Sequence, residues 1–393
     1  MTPKVPARDY VTDVAAAALL VLSLALWWNR STRPTDNLGV LAVTILSLVS
    51  LTFHYLFRAQ ALPFAWEART AGIARAVANV PYALAVLAAL VLDLVPTLTG
   101  RGLPTGVGGA ATVGLAGATL AAVPRAAELD GPAARALGRQ LRTVLLGLAV
   151  AAVGFQLVNV LVPLLRPNPL WYLGAPLLPW YVVTGLGLGV VVALPPVMVA
   201  RGRDAWRPVV VVSGATLVGW LFVVEPGLLA STFGNGLALV VPPVAAALAC
   251  APADWGAVPD RRAHGLAIAR SAMACAAVVA GVGAATALAW IGSGHPRPAS
   301  FAVVALLLGA CGAAEFGREA RSTRWLAVAV ALVAALGLAN LVVNGVADDR
   351  YATWLDALLA LGLPALAVWA LVMPAAGRTL ATRVDFTGDS TDL

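Results

Sequence analysis

The chain has 393 residues, of which 60% are hydrophobic and only 11% are charged, and its mean hydropathy is +0.87. A water-soluble domain of this length would carry about a quarter charged residues, so the composition excludes an ordinary soluble protein. The net charge of +7 is spread over the connections between apolar segments, where arginines contact anionic headgroups. We therefore expect membrane lipids, and not nucleic acid, as partners.

Twelve apolar stretches follow one another along the chain, each close to the ~20 residues that a helix needs to cross a ~30 Å hydrocarbon core. The sequence predicts spans near residues 11–28, 37–57, 76–98, 106–123, 143–165, 177–200, 208–224, 228–250, 266–291, 299–316, 325–346 and 353–373. They form one integral membrane domain over residues 1–373, followed by a short cytoplasmic tail at 374–393. The predicted fold class is all-α, a polytopic transmembrane helical bundle of about 12 spans.

Lysines and arginines fall almost entirely on alternate connections. Twenty of the 26 lie in the amino-terminal segment, in the 2–3, 4–5, 6–7, 8–9 and 10–11 connections and in the carboxyl tail. The opposite side holds only Arg30, Arg33, Arg101, Arg166, Arg297 and Arg350. Because positive residues favour the cytoplasmic side, both termini are predicted to be cytoplasmic (N-in/C-in) in the cell (inner or plasma) membrane.

The 4–5 connection has helical character of its own. Arg135, Arg139 and Arg142 stand with Leu137 and Leu141 at helical spacing. This pattern predicts either a short amphipathic helix on the inner membrane face or a helical extension of the fifth span.

An internal duplication lies in the middle of the chain. Residues 179–197 and 226–244 align without gaps, and each contains spaced glycines followed by Pro-Pro-Val. Adjacent prolines remove backbone donors, so we predict helix breaks at Pro195, Pro196, Pro242 and Pro243. Broken helices at matching places in repeats are typical of transporter binding sites. Close packing of helices through small residues explains the same glycines without a ligand, and this alternative stays open.

A substrate site at such breaks needs polar side chains inside the spans. The candidates are Thr184, Asn235, Gln156, Asn159, Asn340 and Asn344. The glutamine and the asparagines of spans five and eleven stand in pairs at three- or four-residue spacing, so each pair faces one side of its helix. Amide hydrogen bonds that only hold helices together are the alternative.

Few ionisable residues are predicted inside the spans. His54, near the inner end of span two, is expected to form hydrogen bonds at the interface, with a proton-carrying role as the alternative. Scarce buried charge argues against a proton-driven carrier. The acids Asp93, Glu225 and Asp356 lie near outer span ends, where they form either an acidic outer vestibule or ordinary interfacial acids.

Catalytic signatures are not evident in the sequence. It contains no HExxH, GxSxG or Walker pattern and no pair of Asp-rich magnesium motifs. The three cysteines form no CxxC or Cys/His spacing. We therefore predict no catalytic residues, no metal site and no cofactor, and we favour a protein that is not an enzyme.

The first two spans carry a resemblance. The segments RDYVTDVAAAALLVLSLALWW and SLTFHYLFR resemble uncharacterised actinobacterial multispan membrane proteins over about 50 residues, and this resemblance implies no activity. The residues themselves favour a carrier or permease for a small or amphipathic solute. The alternatives are a non-transporting scaffold subunit of an envelope-assembly complex and an outer-leaflet lipid-modifying enzyme that uses the three acids. The sequence does not indicate an oligomeric state.

Overall fold

The computed structural model describes residues 6–29, 32–59, 61, 68–99, 107–129, 131–165, 178–223, 238–253, 260–294, 298–347 and 353–372. Within these ranges the regular structure is helical, without a strand. The helices are α1 (Ala7–Ser23), α2 (Leu38–Ser50), α3 (Thr52–Arg58), α4 (Ala68–Thr99), α5 (Gly109–Ala122), α6 (Gly131–Leu165), α7 (Leu178–Ala200), α8 (Arg207–Val223), α9 (Val241–Ala249), α10 (Arg261–Gly292), α11 (Pro298–Glu319) and α12 (Thr323–Ala347). The last helix, α13 (Trp354–Val372), contains a π-helical turn at Leu358–Gly362.

Nine described helical segments are long and apolar enough to cross a membrane. They are Leu38–Arg58, Thr70–Leu92, Gly131–Leu161, Leu178–Ala200, Asp204–Val223, Arg261–Gly292, Ala299–Glu319, Thr323–Asn344 and Trp354–Val372. Shorter helices lie at the other three predicted spans: α1 with 17 residues, α5 with 14, and the segment Ala238–Ala249. The regular structure of the described residues is thus all-helical, and their apolar helices are those of a multi-pass membrane protein, while the total of twelve crossings and their orientation stay predictions.

Helix α6 shows how the 4–5 connection is built. It runs through 35 residues from Gly131 to Leu165 without interruption. Arg139 and Arg142 therefore lie on the same helix as the predicted fifth span, and the helical extension is the correct alternative. Pro132 is tolerated in the first turn, because the first N–H groups of a helix have no intrahelical partner.

The two short helices α5 and α9 are buried along most of their length. A helix that is apolar on every side is buried among other helices, and α5 packs against α1, α4 and α9. Small residues permit this approach, since a Cβ at Gly117 would lie 3.0 Å from the backbone nitrogen of Leu20 in α1. A 14-residue helix is only ~21 Å long. Its terminal carbonyls therefore end inside the bundle, where they need polar partners.

The prediction of a break at Pro195 and Pro196 is wrong. Helix α7 is helical from Leu178 to Ala200 with both prolines inside it and buried. Two prolines remove only two backbone donors, and the packed turns on either side keep the helix together. Pro242 and Pro243 do not lie inside a helix but in the first turn of α9. The N–H groups that proline lacks have no helical partner at that position.

Candidate functional site

Charged side chains gather where α5 ends, at the end of the bundle that the arginine distribution predicts to be cytoplasmic. Six ionisable side chains there are buried, none more than 8% exposed: Asp9, Asp13, His54, Arg75, Arg125 and Glu128. They come from α1, α3, α4 and the turn at residues 123–129. We call these six residues the ionic cluster.

Two arginines satisfy the last carbonyls of α5. Arg75 Nη2 donates to the carbonyl of Val123 at 3.0 Å, and Arg125 Nη1 donates to the same carbonyl at 2.7 Å. Arg125 Nη1 also donates to the carbonyl of Leu120 at 3.2 Å. The short helix thus obtains the partners that its buried end requires, and two positive charges are drawn to one carbonyl oxygen.

Two carboxylates neutralise these arginines. Arg75 binds Glu128 at two points, Nη1 to Oε1 at 2.9 Å and Nη2 to Oε2 at 2.7 Å. Arg125 donates to Asp13 Oδ1 from both Nη2 and Nε, the latter at 2.9 Å. The second Asp13 oxygen accepts a hydrogen bond from the hydroxyl of Tyr55 at 2.7 Å. Such charge-assisted bonds are about twice as strong as neutral ones.

His54 and Asp9 complete the ionic cluster. Each forms a hydrogen bond through only one of its two polar side-chain atoms. His54 Nδ1 lies 3.0 Å from Glu128 Oε1, and because an ionised carboxylate only accepts, Nδ1 carries the hydrogen. Asp9 Oδ1 accepts from the backbone N–H of Ala126 at 3.1 Å. The second polar atoms, His54 Nε2 and Asp9 Oδ2, are buried and find no hydrogen-bond partner in the described part of the chain.

The charges of the ionic cluster do not balance when His54 is neutral. Burial by itself raises the pKa of the Glu128 carboxyl, but the His54 hydrogen bond, the Arg75 charge and hydrogen bonds and the Arg125 backbone N–H outweigh it. The pKa falls from 4.5 to about 2. Asp9, Asp13 and Glu128 supply three carboxyl groups, whereas Arg75 and Arg125 supply two guanidiniums. Among the described residues no three His, Cys, Asp or Glu side chains are placed to hold a metal ion.

The predicted polar residues of spans five and six lie at one helix contact. Gln156 is buried against α7, where a Cβ at Gly189 would be 3.3 Å from Gln156 Cβ. Tyr181 Oη donates to the carbonyl of Asn159 at 2.6 Å. Thr184 Oγ1 donates to a carbonyl of its own helix at 2.7 Å. The glycine-rich half of α7 therefore packs on α6, and Asn235 of the second copy lies outside the described residues.

Asn340 and Asp356, predicted for two different sites, are in direct contact. Asn340 Nδ2 donates to Asp356 Oδ1 at 2.7 Å, and Asn344 Nδ2 lies 3.4 Å from Asn340 Oδ1. The other Asp356 oxygen accepts the backbone N–H and the hydroxyl of Thr353 at 2.6 and 2.9 Å. Asp356 thus caps the start of α13. Glu225 and the side chain of Asp93 lie outside what the structure describes.

A second pair of arginines lies at the end of α9. Arg207 Nη2 donates to the carbonyl of Ala249 at 2.7 Å, and Arg8 Nη2 donates to the carbonyl of Cys250 at 2.8 Å. The carbonyl of Ala251 lies 3.2 Å from Arg8 and 3.5 Å from Arg207. Both arginines border a cavity of about 680 Å³, which is also lined by Asp204, Pro208, Val211, Val212, Ala249, Cys250, His264, Gly362, Ala365, Leu366 and Trp369.

Among the residues of the ionic cluster, only His54 is a candidate in the sequence analysis. Asp9 and Asp13 stand four residues apart at the start of an apolar segment, a spacing that places two carboxylates on one helix face and signals buried partners. Arg125 and Glu128 instead belong to a polar connection, and nothing local shows that this turn folds back into the bundle. The expectation of scarce buried charge is therefore wrong.

A family model matches most of the chain. A family model described as "Domain of unknown function (DUF7937)" matches residues 9–380, nearly the whole chain. No curated protein matches the chain, and no solved structure matches it. The matched range begins at Asp9 and so contains every residue of the ionic cluster.

Proposed function

The chain belongs to the DUF7937 family, and we propose that it is a carrier or permease for a small or amphipathic solute in the cell membrane. The proposal includes the twelve spans and the cytoplasmic termini that the arginine distribution predicts. On this orientation the ionic cluster lies at the cytoplasmic end of the bundle. We propose that it is the gate that closes this end.

The observation that supports a gate is the complete burial of Arg75 and Arg125, which are 0% and 1% exposed. Taking an ion out of water costs several kcal/mol, and apolar side chains of similar volume are often equally stabilising. The terminal carbonyls of α5 give both arginines a structural role. Buried ion pairs that link separate helices also suit a contact that forms in one state and separates in another, and ionisable residues inside membrane bundles commonly serve such transitions.

The connectivity of the ionic cluster fits a gate. Helix α1 cannot leave the 123–129 turn without breaking Asp13 from Arg125, and α4 cannot leave it without breaking Arg75 from Glu128. A movement that opens this end therefore breaks several buried ion pairs together. The bundle would therefore have two states at this end, closed and open. An intermediate with partly separated ion pairs would be unstable, because its charges would stay buried without partners.

His54 joins a further helix to the proposed gate. Its Nδ1 donates to Glu128 Oε1 at 3.0 Å, so α3 also cannot move away from the 123–129 turn without losing a contact of the ionic cluster.

A cysteine introduced at a buried position reports on opening. Ser47 is 0% exposed on α2, one turn from Ser50, which accepts a hydrogen bond from Asn79 at 2.8 Å. Ser47→Cys, in a chain whose three native cysteines are replaced, should react with a membrane-impermeant maleimide from the predicted cytoplasmic side. Glu128→Gln should raise the labelling rate at least tenfold, because each ~1.4 kcal/mol lost from the closed state shifts the population tenfold.

The matched control is Glu315→Gln, which removes an exposed ion pair with Arg318 and should leave the labelling rate unchanged. Absence of labelling in both the wild-type background and a folded Glu128→Gln variant would contradict the gate. It would favour the non-transporting scaffold subunit instead.

A further inference from the structure

We propose that the solute path of the carrier runs through the bundle of α1, α2, α4 and α5, along a row of buried hydrogen-bonding side chains that begins at the ionic cluster. The inference rests on the proposed function and deepens it by naming the class of solute, which is small, uncharged and able to donate and accept hydrogen bonds. The row consists of Ser23, Thr44, Ser47, Ser50, Asn79 and Tyr82. We call these six residues the polar row.

The polar row occupies one face of each of two packed helices. On α2 it places Thr44, Ser47 and Ser50 at three-residue spacing, and on α4 Asn79 and Tyr82 stand three residues apart. Residues three or four apart share a helix face, and α2 packs against α4. All six residues of the row are buried, none more than 4% exposed, whereas large apolar side chains of the same helices are exposed. These helices therefore turn polar side chains inward.

The near end of the polar row is bonded to the ionic cluster. Asn79 Nδ2 donates to Ser50 Oγ and to the backbone carbonyl of Arg75, each at 2.8 Å. Arg75 is also the residue that binds Glu128 at two points. Opening of the proposed gate between Arg75 and Glu128 would therefore expose the row at this end.

The far end of the polar row is closed by aromatic side chains. Ser23 and Thr44 are the side-chain hydrogen-bond partners of the Tyr82 hydroxyl. This hydroxyl lies in a notch of α5, where a Cβ at Gly114 would overlap it. Trp28, which is 5% exposed, packs edge-on against the Tyr82 ring at a centroid distance of 6.2 Å. The row is thus closed at both ends in this state.

Two atoms in the middle of the polar row lack a hydrogen-bond partner in the described part of the chain. They are Ser47 Oγ and Asn79 Oδ1, and their residues are 0% and 4% exposed. A buried polar atom without a partner is destabilising. A hydroxyl donates and accepts, whereas an amide oxygen only accepts. A solute that carries both a donor and an acceptor would satisfy both atoms and so recover this loss.

The lack of charge in the polar row selects an uncharged solute. None of its six side chains is a carboxylate, an amine or a guanidinium. Taking an ion out of water without a counterion costs far more than taking out a hydroxyl whose hydrogen bonds are replaced. The Tyr82 hydroxyl, with Ser23 and Thr44 as partners, is an uncharged hydroxyl that the row already holds. A solute hydroxyl would bind through the same chemistry.

Cysteine modification in detergent tests the polar row with reagents that differ in charge. Thr44→Cys is placed in a full-length chain whose three native cysteines are replaced. The reagents are ethyl methanethiosulfonates that carry a hydroxyl, a sulfonate or a trimethylammonium group, and each rate is divided by that at the exposed Ser322→Cys. In the Glu128→Gln background the hydroxyl reagent should react at least tenfold faster than either charged reagent, because ~1.4 kcal/mol of additional desolvation gives a factor of ten.

The matched control is Ser213→Cys, because Ser213 is a buried serine of α8 outside the polar row. It should react slowly with all three reagents. A second variant leaves Glu128 in place. Tyr82→Phe keeps the ring but leaves the space of the hydroxyl empty, so it should speed the reaction of the hydroxyl reagent with Thr44→Cys several-fold. Tyr10→Phe, which alters an exposed tyrosine of α1, should not change this rate.

Equal relative rates for the three reagents at Thr44→Cys would overturn the inference, as would a reaction of Ser213→Cys as fast as that of Thr44→Cys. Maleimide labelling of Ser47→Cys without any reaction at Thr44→Cys would also overturn it, and would leave the gate in place. Reaction at Thr44→Cys that is enhanced by Tyr82→Phe but not by Glu128→Gln would support the polar row and contradict only the gate.

Discussion

Arg75 and Glu128 form a two-point ion pair whose side chains are 1% and 5% exposed. The nitrogen–oxygen distances are 2.9 and 2.7 Å, and the same Arg75 Nη2 also donates to the last turn of α5. One guanidinium therefore ties α4 to both the end of α5 and the turn that follows it. Because the pair is buried, removal of either partner leaves a charge without water and without a counterion.

Glu128→Gln should be strongly destabilising. The amide cannot neutralise Arg75, and breaking a buried pair by removing one partner costs about 3–5 kcal/mol. Thermal unfolding in detergent measures the loss, and Glu315→Gln, in an exposed pair, should change stability by less than about 1 kcal/mol. Similar small shifts for both variants would mean that water reaches the ionic cluster.

Acidification should remove the contribution of Glu128 in a defined range. Its pKa in the folded protein is about 2, below its ordinary value of 4.5, so folding favours the ionised carboxylate. The stabilisation is complete above about pH 4.5 and is lost as the pH falls towards 2. The unfolding temperatures of the wild type and Glu128→Gln should therefore differ at pH 6 and converge between pH 4.5 and 2. A constant difference down to the acid end would refute this assignment.

Two glycine substitutions should have opposite effects. A Cβ at Gly337 in α12 would lie 2.9 Å from Cα of Ala360 in the π-helical turn of α13, and this backbone cannot move aside easily. Gly337→Ala should therefore lower stability by about 1–3 kcal/mol. At Gly312 in α11 no described atom outside its own helix lies within 4 Å of a built Cβ. Gly312→Ala should stabilise by up to ~1 kcal/mol through helix propensity, and a larger loss there than at Gly337 would contradict the described packing.

The predicted orientation is testable by cysteine accessibility in intact cells. Reporters at Ser31 and Thr105 should react with an impermeant reagent, because their connections carry few positive charges. Reporters at Ala133 and Ser322 should be protected until the membrane is permeabilised. Labelling of the second pair in intact cells would reverse the topology and place the ionic cluster outside.

The sequence by itself determined the class of the protein and its local contacts. A hydrocarbon core imposes length and polarity on each helix separately, so runs of ~20 apolar residues identify membrane segments without reference to their neighbours. The pair of Glu315 and Arg318 was equally predictable, because residues three apart share a helix face, and the two side chains lie 2.6 Å apart.

Only the tertiary structure decided which distant groups meet. Asp13 and Arg125 are 112 residues apart, and their contact depends on a polar turn that packs back against α1. The same holds for Asp356, whose carboxylate caps α13 and binds Asn340 of α12. Helix α7 continues through Pro195 and Pro196 because packing of its buried flanks outweighs two missing donors. Spacing along a sequence carries information about one helix, whereas burial of charge depends on how several helices pack.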